Sequence, residues 1–307
     1  MEFFVVTIDV EPDCTPSWHY ADPLSFEGVT EGITSILHPL FVEHGIVPTY
    51  LVNTVVMEDE RSVNDLLSLP GEYELGVHLH PEFIEPQRVT HSPAGMKAEM
   101  NLCLLSRGLE DAKIGAASEL FERSFHRKPR SFRAGRFSAQ EHTIRSLCKY
   151  GYHVDTSVTP TVVWNDPSRE RPIDFSKARS HPYFPSSESI ISAGDARQLL
   201  EVPVTIRRQG LPFRRRSVWL RPGMSTADEM ITLMRTTRRT DSLKSPRVMN
   251  MMFHNVEILP RRSPYTQTEE DVLAYMASLR TVFAYVRENH IRCTTLSNLY
   301  GLIVNGN

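Results

Sequence analysis

Short apolar runs that stop abruptly at an acid, an imidazole or an arginine recur along this chain, with helix-spaced segments between them. Phe3-Phe4-Val5-Val6-Thr7-Ile8 stops at Asp9-Val10-Glu11-Pro12-Asp13, and the run from Tyr73 stops at His78-Leu79-His80-Pro81-Glu82. Ser131-Phe132 stops at Arg133, Tyr152-His153-Val154 at Asp155, and Val248 to Phe253 at His254. Val47 to Val52 and Leu199 to Ile206 have the same strand character. Between the first two strands, Ile33, Ile36, Leu37, Leu40 and Phe41 keep a helical step over Val29 to Glu43, and Gly45 supplies a C-cap. Ala94 to Phe125 and Ala139 to Tyr150 read as further helices. The clearest helix is Glu269 to Glu288, with Val272, Met276, Leu279, Phe283 and Val286 on one stripe and Thr268 and Asp271 as its N-terminal cap. Six or seven strands alternating with helices predict an α/β fold, a barrel-like parallel sheet wound in the right-handed sense.

The chain's 307 residues suit one large barrel domain or two smaller ones, and its 40% apolar and 23% charged residues are those of an ordinary enzyme. A net charge of -3 argues against broad nucleic-acid binding. Cys14, Cys103, Cys148 and Cys293 are scattered with no CxxC pair, so neither a disulfide framework nor a cysteine zinc site is expected. The N-terminus runs directly into a strand and no stretch approaches a membrane span, so a cytoplasmic location is expected. The stretch 156–197, rich in Pro, Ser and charge, reads as a functional loop rather than a linker.

In parallel α/β folds the strand C-termini share one rim, where chemistry is done. An extended strand points Asp9 and Glu11 the same way, and likewise His78 and His80; Glu82 joins that face only if the chain remains extended. Carboxylates and imidazoles gathered there suit a divalent metal, with an acid left over as a base. Each feature has a plainer reading: Asp9 and Asp13 as turn caps, Arg133 in a surface ion pair, Asp155 as a cap, His254 as a structural histidine. The coincidence of five such strand ends favours a metal-dependent hydrolase.

In this order, those five strand ends resemble the polysaccharide deacetylases of carbohydrate esterase family 4, the NodB-homology fold. The motifs read Thr7-Ile8-Asp9-Val10-Glu11, His78-Leu79-His80-Pro81-Glu82, Arg133-Ala134-Gly135-Arg136-Phe137, Asp155-Thr156-Ser157 and Met252-Phe253-His254. The resemblance implies a distorted (β/α)7-type barrel, with residues 1–307 as a single domain. It implies Asp9 as general base, Arg133 holding that base, His254 as general acid and Asp155 tuning that neighbourhood. Glu11 and His78 would be metal ligands, with His80 or Glu82 completing the set. Zinc is the first candidate metal, with manganese, cobalt or magnesium as the others.

Arg136 and Glu257 are expected at the substrate, together with Arg207 and Arg214 from the run Arg207, Arg208, Arg214, Arg215, Arg216 and Arg221. That run reads either as a solvated face or as a clamp for an anionic sugar. The expected reaction is removal of an N-acyl group, acetyl first, from an amino sugar or glycan precursor in surface-polysaccharide (O-antigen-type) assembly. The alternatives are an allantoin-type hydrolase of small amides and a metal-free glycan-binding relative.

Overall fold

The computed structural model describes residues 1–89, 101–165, 172–210, 216–240 and 246–305, excepting the side chains of 238–240. Seven parallel strands form the framework: β1 (Glu2–Val10), β2 (Pro48–Asn53), β3 (Glu74–Leu79), β4 (Ser131–Ala134), β5 (Val154–Asp155), β6 (Leu200–Glu201) and β7 (Arg247–His254). They lie in the order β6-β5-β4-β3-β2-β1-β7, and Arg292–Cys293 adds a short strand beside the start of β1. The sheet curls into a half-barrel. Beyond β6 the chain swings towards β7, where Thr205 N–H donates to the Asn250 carbonyl at 3.0 Å and Asn250 Nδ2 donates to the Val202 carbonyl at 3.1 Å. Helices surround this single-domain, distorted (β/α)7 barrel.

Strand alternation sorts β1 into two faces. Phe4, Val6, Ile8 and Val10 belong to the large core beneath the helices, whereas Phe3 and Val5 join Leu51, Val154, Leu200, Val202 and Val248 in a smaller inner core. Leu296 and Leu299, from the helix Leu296–Val304, complete that inner core. Further up β1, the inner face turns polar at Thr7 and then Asp9.

The helix readings hold with small adjustments. The first is wound as a π-helix over Gly28–Leu37 and continues as an α-helix over His38–His44, ending at Gly45 with φ 66°. Asp13 accepts from Gly28 N–H at 2.8 Å and Glu27 N–H at 2.9 Å, so the turn-capping reading is right for Asp13. Glu269–Glu288 is helical throughout, with Thr268 and Asp271 forming its capping box. Arg107–Phe125 and Glu141–Lys149 are shorter than their sequence spans, and residues 94–100 of the former lie outside the described residues. The stretch 156–197 contains two small hairpins, Val163–Trp164 with Ile173–Asp174 and Pro185–Ser186 with Ser189–Ala193; 166–171 lie outside the described residues. Among the described residues no helix is long and apolar enough to cross a membrane.

Candidate metal centre and acid–base set

Register brings the chemistry together. Asp9 is paired with His254 across β1 and β7, and His78 with Arg133 across β3 and β4. Stepping from Asp9 to Leu51, then from Asn53 to His78, keeps all of these on the inner face of the rim. Glu11 and His80, two residues beyond Asp9 and His78, carry the same face upward.

Glu11, His78 and His80 form the one group among the described residues that could hold a metal, each offering an atom within 4.8 Å of the others. Glu11 Oε1 lies 2.8 Å from His78 Nε2 and 2.9 Å from His80 Nε2, and the two ring nitrogens are 3.0 Å apart. His78 Nδ1 faces the Arg133 carbonyl at 3.2 Å; a carbonyl can only accept, so Nδ1 carries the hydrogen and Nε2 keeps its lone pair. Acceptors are thus turned on one another, an arrangement that calls for positive charge between them. Burial alone would lower the His80 pKa, yet the Glu11 carboxylate raises it to about 9. Burial would raise Glu11, but His80 and His78 hold it well below the ordinary carboxylate range. The donor set therefore fits a divalent cation, which would supply at this point the charge that a proton otherwise provides.

Glu82 is not part of this group. Pro81–Phe83 is a turn of 3₁₀-helix, so the chain does not remain extended past His80, and Glu82 is turned to Arg136 at 2.7 Å. Against the effect of burial, Arg136 and His80 depress Glu82 to about 2. Arg136, expected at the substrate, is engaged by this ion pair. The buried Lys113 ammonium pins the same turn, donating to the Pro81 and Ile84 carbonyls at 2.7 and 2.6 Å.

Asp9 and His254 face each other across the rim. Arg133, fully buried, donates Nη1–H to Asp9 Oδ1 at 2.6 Å and Nη2–H to Thr7 Oγ1 at 2.7 Å, while its Nε–H reaches the Thr156 carbonyl at 2.9 Å. Burial would raise Asp9, but Arg133, with His78 and His254, keeps it below the ordinary carboxylate value. Asp9 Oδ2 lies 3.9 Å from His78 Nε2 and 3.8 Å from His254 Nε2. His254 Nδ1 is held by Glu257 Oε1 at 2.7 Å, leaving Nε2 towards Asp9.

Two sequence expectations are corrected here. Glu257 is fully buried, bonded to His254, Arg221 (2.6 Å) and Tyr275 (2.7 Å), so it backs the imidazole instead of meeting a substrate. Asp155 does not neighbour His254. It is in register with Phe132, one residue before Arg133, and so lies on the outer face of the sheet. There it accepts from Ser157 Oγ at 2.6 Å and adjoins Glu201; burial pushes Asp155 up to about 6 and Glu201 well above its ordinary value.

The described arginines of the 207–221 run go to separate partners: Arg207 to the Thr236 carbonyl, Arg208 to Thr161, Arg216 to Glu229 and Arg221 to Glu257. Arg214 and Arg215 lie outside the described residues. The sequence reading passed over Tyr20 and Trp18, which have no period or motif to mark them. Tyr20 OH lies 3.3 Å from Glu11 Oε2 and 3.2 Å from His80 Nδ1, and the Trp18 ring centroid is 5.0 Å from that of His254.

No family model matches the sequence, and no curated protein matches it. In structure the chain is similar to a Mycobacterium smegmatis protein assigned as a polysaccharide deacetylase, at TM-score 0.58 and 14% identity over 99% of this chain and 90% of that one. It is also similar to Puue allantoinase, at TM-score 0.58 and 11% identity over 97% of this chain and 89% of that one. A GH57-type branching enzyme from the archaeon Pyrococcus horikoshii matches at TM-score 0.55 and 12% identity, over 98% of this chain and 70% of that one. The chain thus resembles the polysaccharide deacetylases in fold, and its Glu11–His78–His80 cluster fits that resemblance. The three names denote different activities, so the choice among them falls to the site.

Proposed function

We propose that this protein is a metal-dependent hydrolase that removes an N-acyl group, acetyl in the simplest case, from an amino sugar or its precursor. One observation carries the reading: a single oxygen, Asp9 Oδ2, lies within 4 Å of both a ring nitrogen of the candidate metal centre and the Nε2 of His254. A base, a cation site and an acid therefore converge on one point, as amide hydrolysis requires.

Glu11 Oε1, His78 Nε2 and His80 Nε2 would hold the cation, zinc first, which supplies polarisation of the acyl carbonyl and a lower pKa for the attacking water. The remaining work belongs to the chain. Arg133 occupies Asp9 Oδ1 and holds the carboxylate ionised, leaving Oδ2 as the base that takes the water proton. His254, anchored through Nδ1 by Glu257, carries its second proton on Nε2 and delivers it to the departing amine. The Trp18 ring packs beside the imidazole, tilted at 56° with centroids 5.0 Å apart. Such proton transfers contribute on the order of 10²- to 10⁴-fold each.

Asp9, Glu11, His78 and His80 are only 2–5% exposed, a burial that suits a small substrate as well as a sugar and favours a second reading, an allantoin-type amide hydrolase. The metal-free relative loses its main support, because His80 stands with Glu11 and His78 while Glu82 is paired elsewhere.

The test is to load the protein with zinc or cobalt and offer N-acetylglucosamine, N-acetylchitooligosaccharides, a sugar nucleotide and allantoin, measuring acetate and free amine from the sugars and the ring-opened carboxylate from allantoin. Acetate release that disappears in Asp9→Asn supports the deacetylase. Turnover of allantoin alone selects the second reading, and no turnover by metal-loaded protein overturns both.

A further inference from the structure

His80 is seated by groups from three other parts of the chain. Phe83 stacks on its ring at 29° and 6.2 Å between centroids, and Tyr20 meets it edge-on at 78° and 6.1 Å. Its third support is an absence of side chain: a Cβ at Gly135 would stand 2.6 Å from His80 Cδ2 and 2.8 Å from Nε2, so only glycine leaves room for the ring where it lies.

The Tyr20 hydroxyl is the nearer polar contact on the far side of this ring, with Glu82 Oε1 3.5 Å from the same Nδ1, and its hydrogen can be assigned by counting. It has one hydrogen to give and lies against Glu11 Oε2 at 3.3 Å and His80 Nδ1 at 3.2 Å. An ionised carboxylate only accepts, so the hydroxyl donates to Glu11. It must then accept from His80, which puts the imidazole hydrogen on Nδ1 and the lone pair on Nε2. The same bond occupies Glu11 Oε2 and leaves Oε1 as the oxygen facing both imidazoles.

We propose that Tyr20 is a positioning residue for the metal centre, its hydroxyl tying two ligands together so that His80 Nε2 and Glu11 Oε1 are the atoms presented to the cation, with Gly135 providing the seat. This rests on the reading of Glu11, His78 and His80 as a metal site. It does not depend on which acyl substrate is cleaved.

Cobalt(II) titration of the intact protein tests it, following the visible d–d bands, with zinc competition for affinity and thermal unfolding of the metal-free protein as the folding control. Tyr20→Phe retains the ring packing and removes only the hydroxyl. Loss of a group that orients a metal ligand costs roughly 10- to 100-fold in affinity, so Tyr20→Phe is expected to weaken cobalt by that factor and alter the bands, while the metal-free melting temperature remains that of wild type. Gly135→Ala is expected to weaken cobalt as well. Wild-type affinity and bands in Tyr20→Phe would overturn the proposal, leaving the tyrosine as packing alone. A wild-type protein that takes up no cobalt would overturn the metal site, and the proposal with it.

Discussion

Asp9 gives one carboxylate oxygen to Arg133 at 2.6 Å and keeps the other, Oδ2, for the cleft. Arg133 is 0% exposed and also binds Thr7 and Thr156, so it links β1, β4 and the segment after β5. Removing one member of such a buried pair strands the other's charge, at a cost of about 3–5 kcal/mol. Arg133→Ala is therefore expected to lose stability of that order in urea unfolding, together with activity. Arg133→Lys should lie between, because an ammonium keeps the charge but cannot span three sets of acceptors. A loss below about 1 kcal/mol for Arg133→Ala, the range of an exposed pair, would show that the pair is not what holds Asp9.

The carboxylate that serves His254 is Glu257, at 2.7 Å from Nδ1. Glu257→Gln keeps the size but removes the charge that steadies an imidazolium. It should lower kcat by on the order of 10²-fold, within the range that one acid–base group contributes, with little change in KM. Asp155→Asn, on the outer face, should leave the rate near that of wild type. The reverse ranking of the two variants would restore Asp155 to the role expected from the motif order.

This contrast marks how far the sequence carried. The barrel was legible because buried parallel strands have no polar alternation, and the polar residue that ends such a run announces its rim. Asp9 with Glu11, and His78 with His80, followed from the two-residue period alone. Asp155 did not, because its face depends on the register between β4 and β5, and a one-residue offset moves it to the opposite side. Glu82 turned on whether the chain remained extended after Pro81, and Lys113 and Arg136, distant in sequence, hold the turn that decided it. Tyr20 and Trp18 sit in an irregular loop, where no periodicity reports contact.

Asp155 and Glu201 give a pH signature of their own. Both are buried side by side; burial pushes Asp155 up to about 6 and Glu201 well above its ordinary value, so the folded pair binds protons that the unfolded chain has released. The sign follows: this contribution is fully present below about pH 4, the unfolded carboxylate value, and is lost as pH rises through about 6. Because the two carboxyls interact, they titrate as a pair. The Asp155 shift alone corresponds to on the order of 3 kcal/mol. Measured by urea unfolding between pH 4 and 7, an Asp155→Asn, Glu201→Gln double variant should gain stability relative to wild type as pH rises. A difference that does not change with pH would mean that the pair shares no proton in the folded state.

His80 and Glu82 make opposite demands on a metal-binding experiment. His80 Nε2 is 2.9 Å from Glu11 Oε1, within the candidate centre, whereas Glu82 is committed to Arg136 at 2.7 Å and reaches only His80 Nδ1, at 3.5 Å. Elemental analysis after zinc loading and desalting should find metal in wild type and in Glu82→Gln, which removes the charge but not the turn. His80→Ala should lose it, as should a Glu11→Ala, His78→Ala double variant. Glu82→Gln is expected to weaken its hold on Arg136, loosening the turn after β3, and so to lower thermal stability more than metal content. Loss of metal in Glu82→Gln with retention in His80→Ala would exchange the two roles, requiring the Pro81–Phe83 turn to reopen when the cation binds.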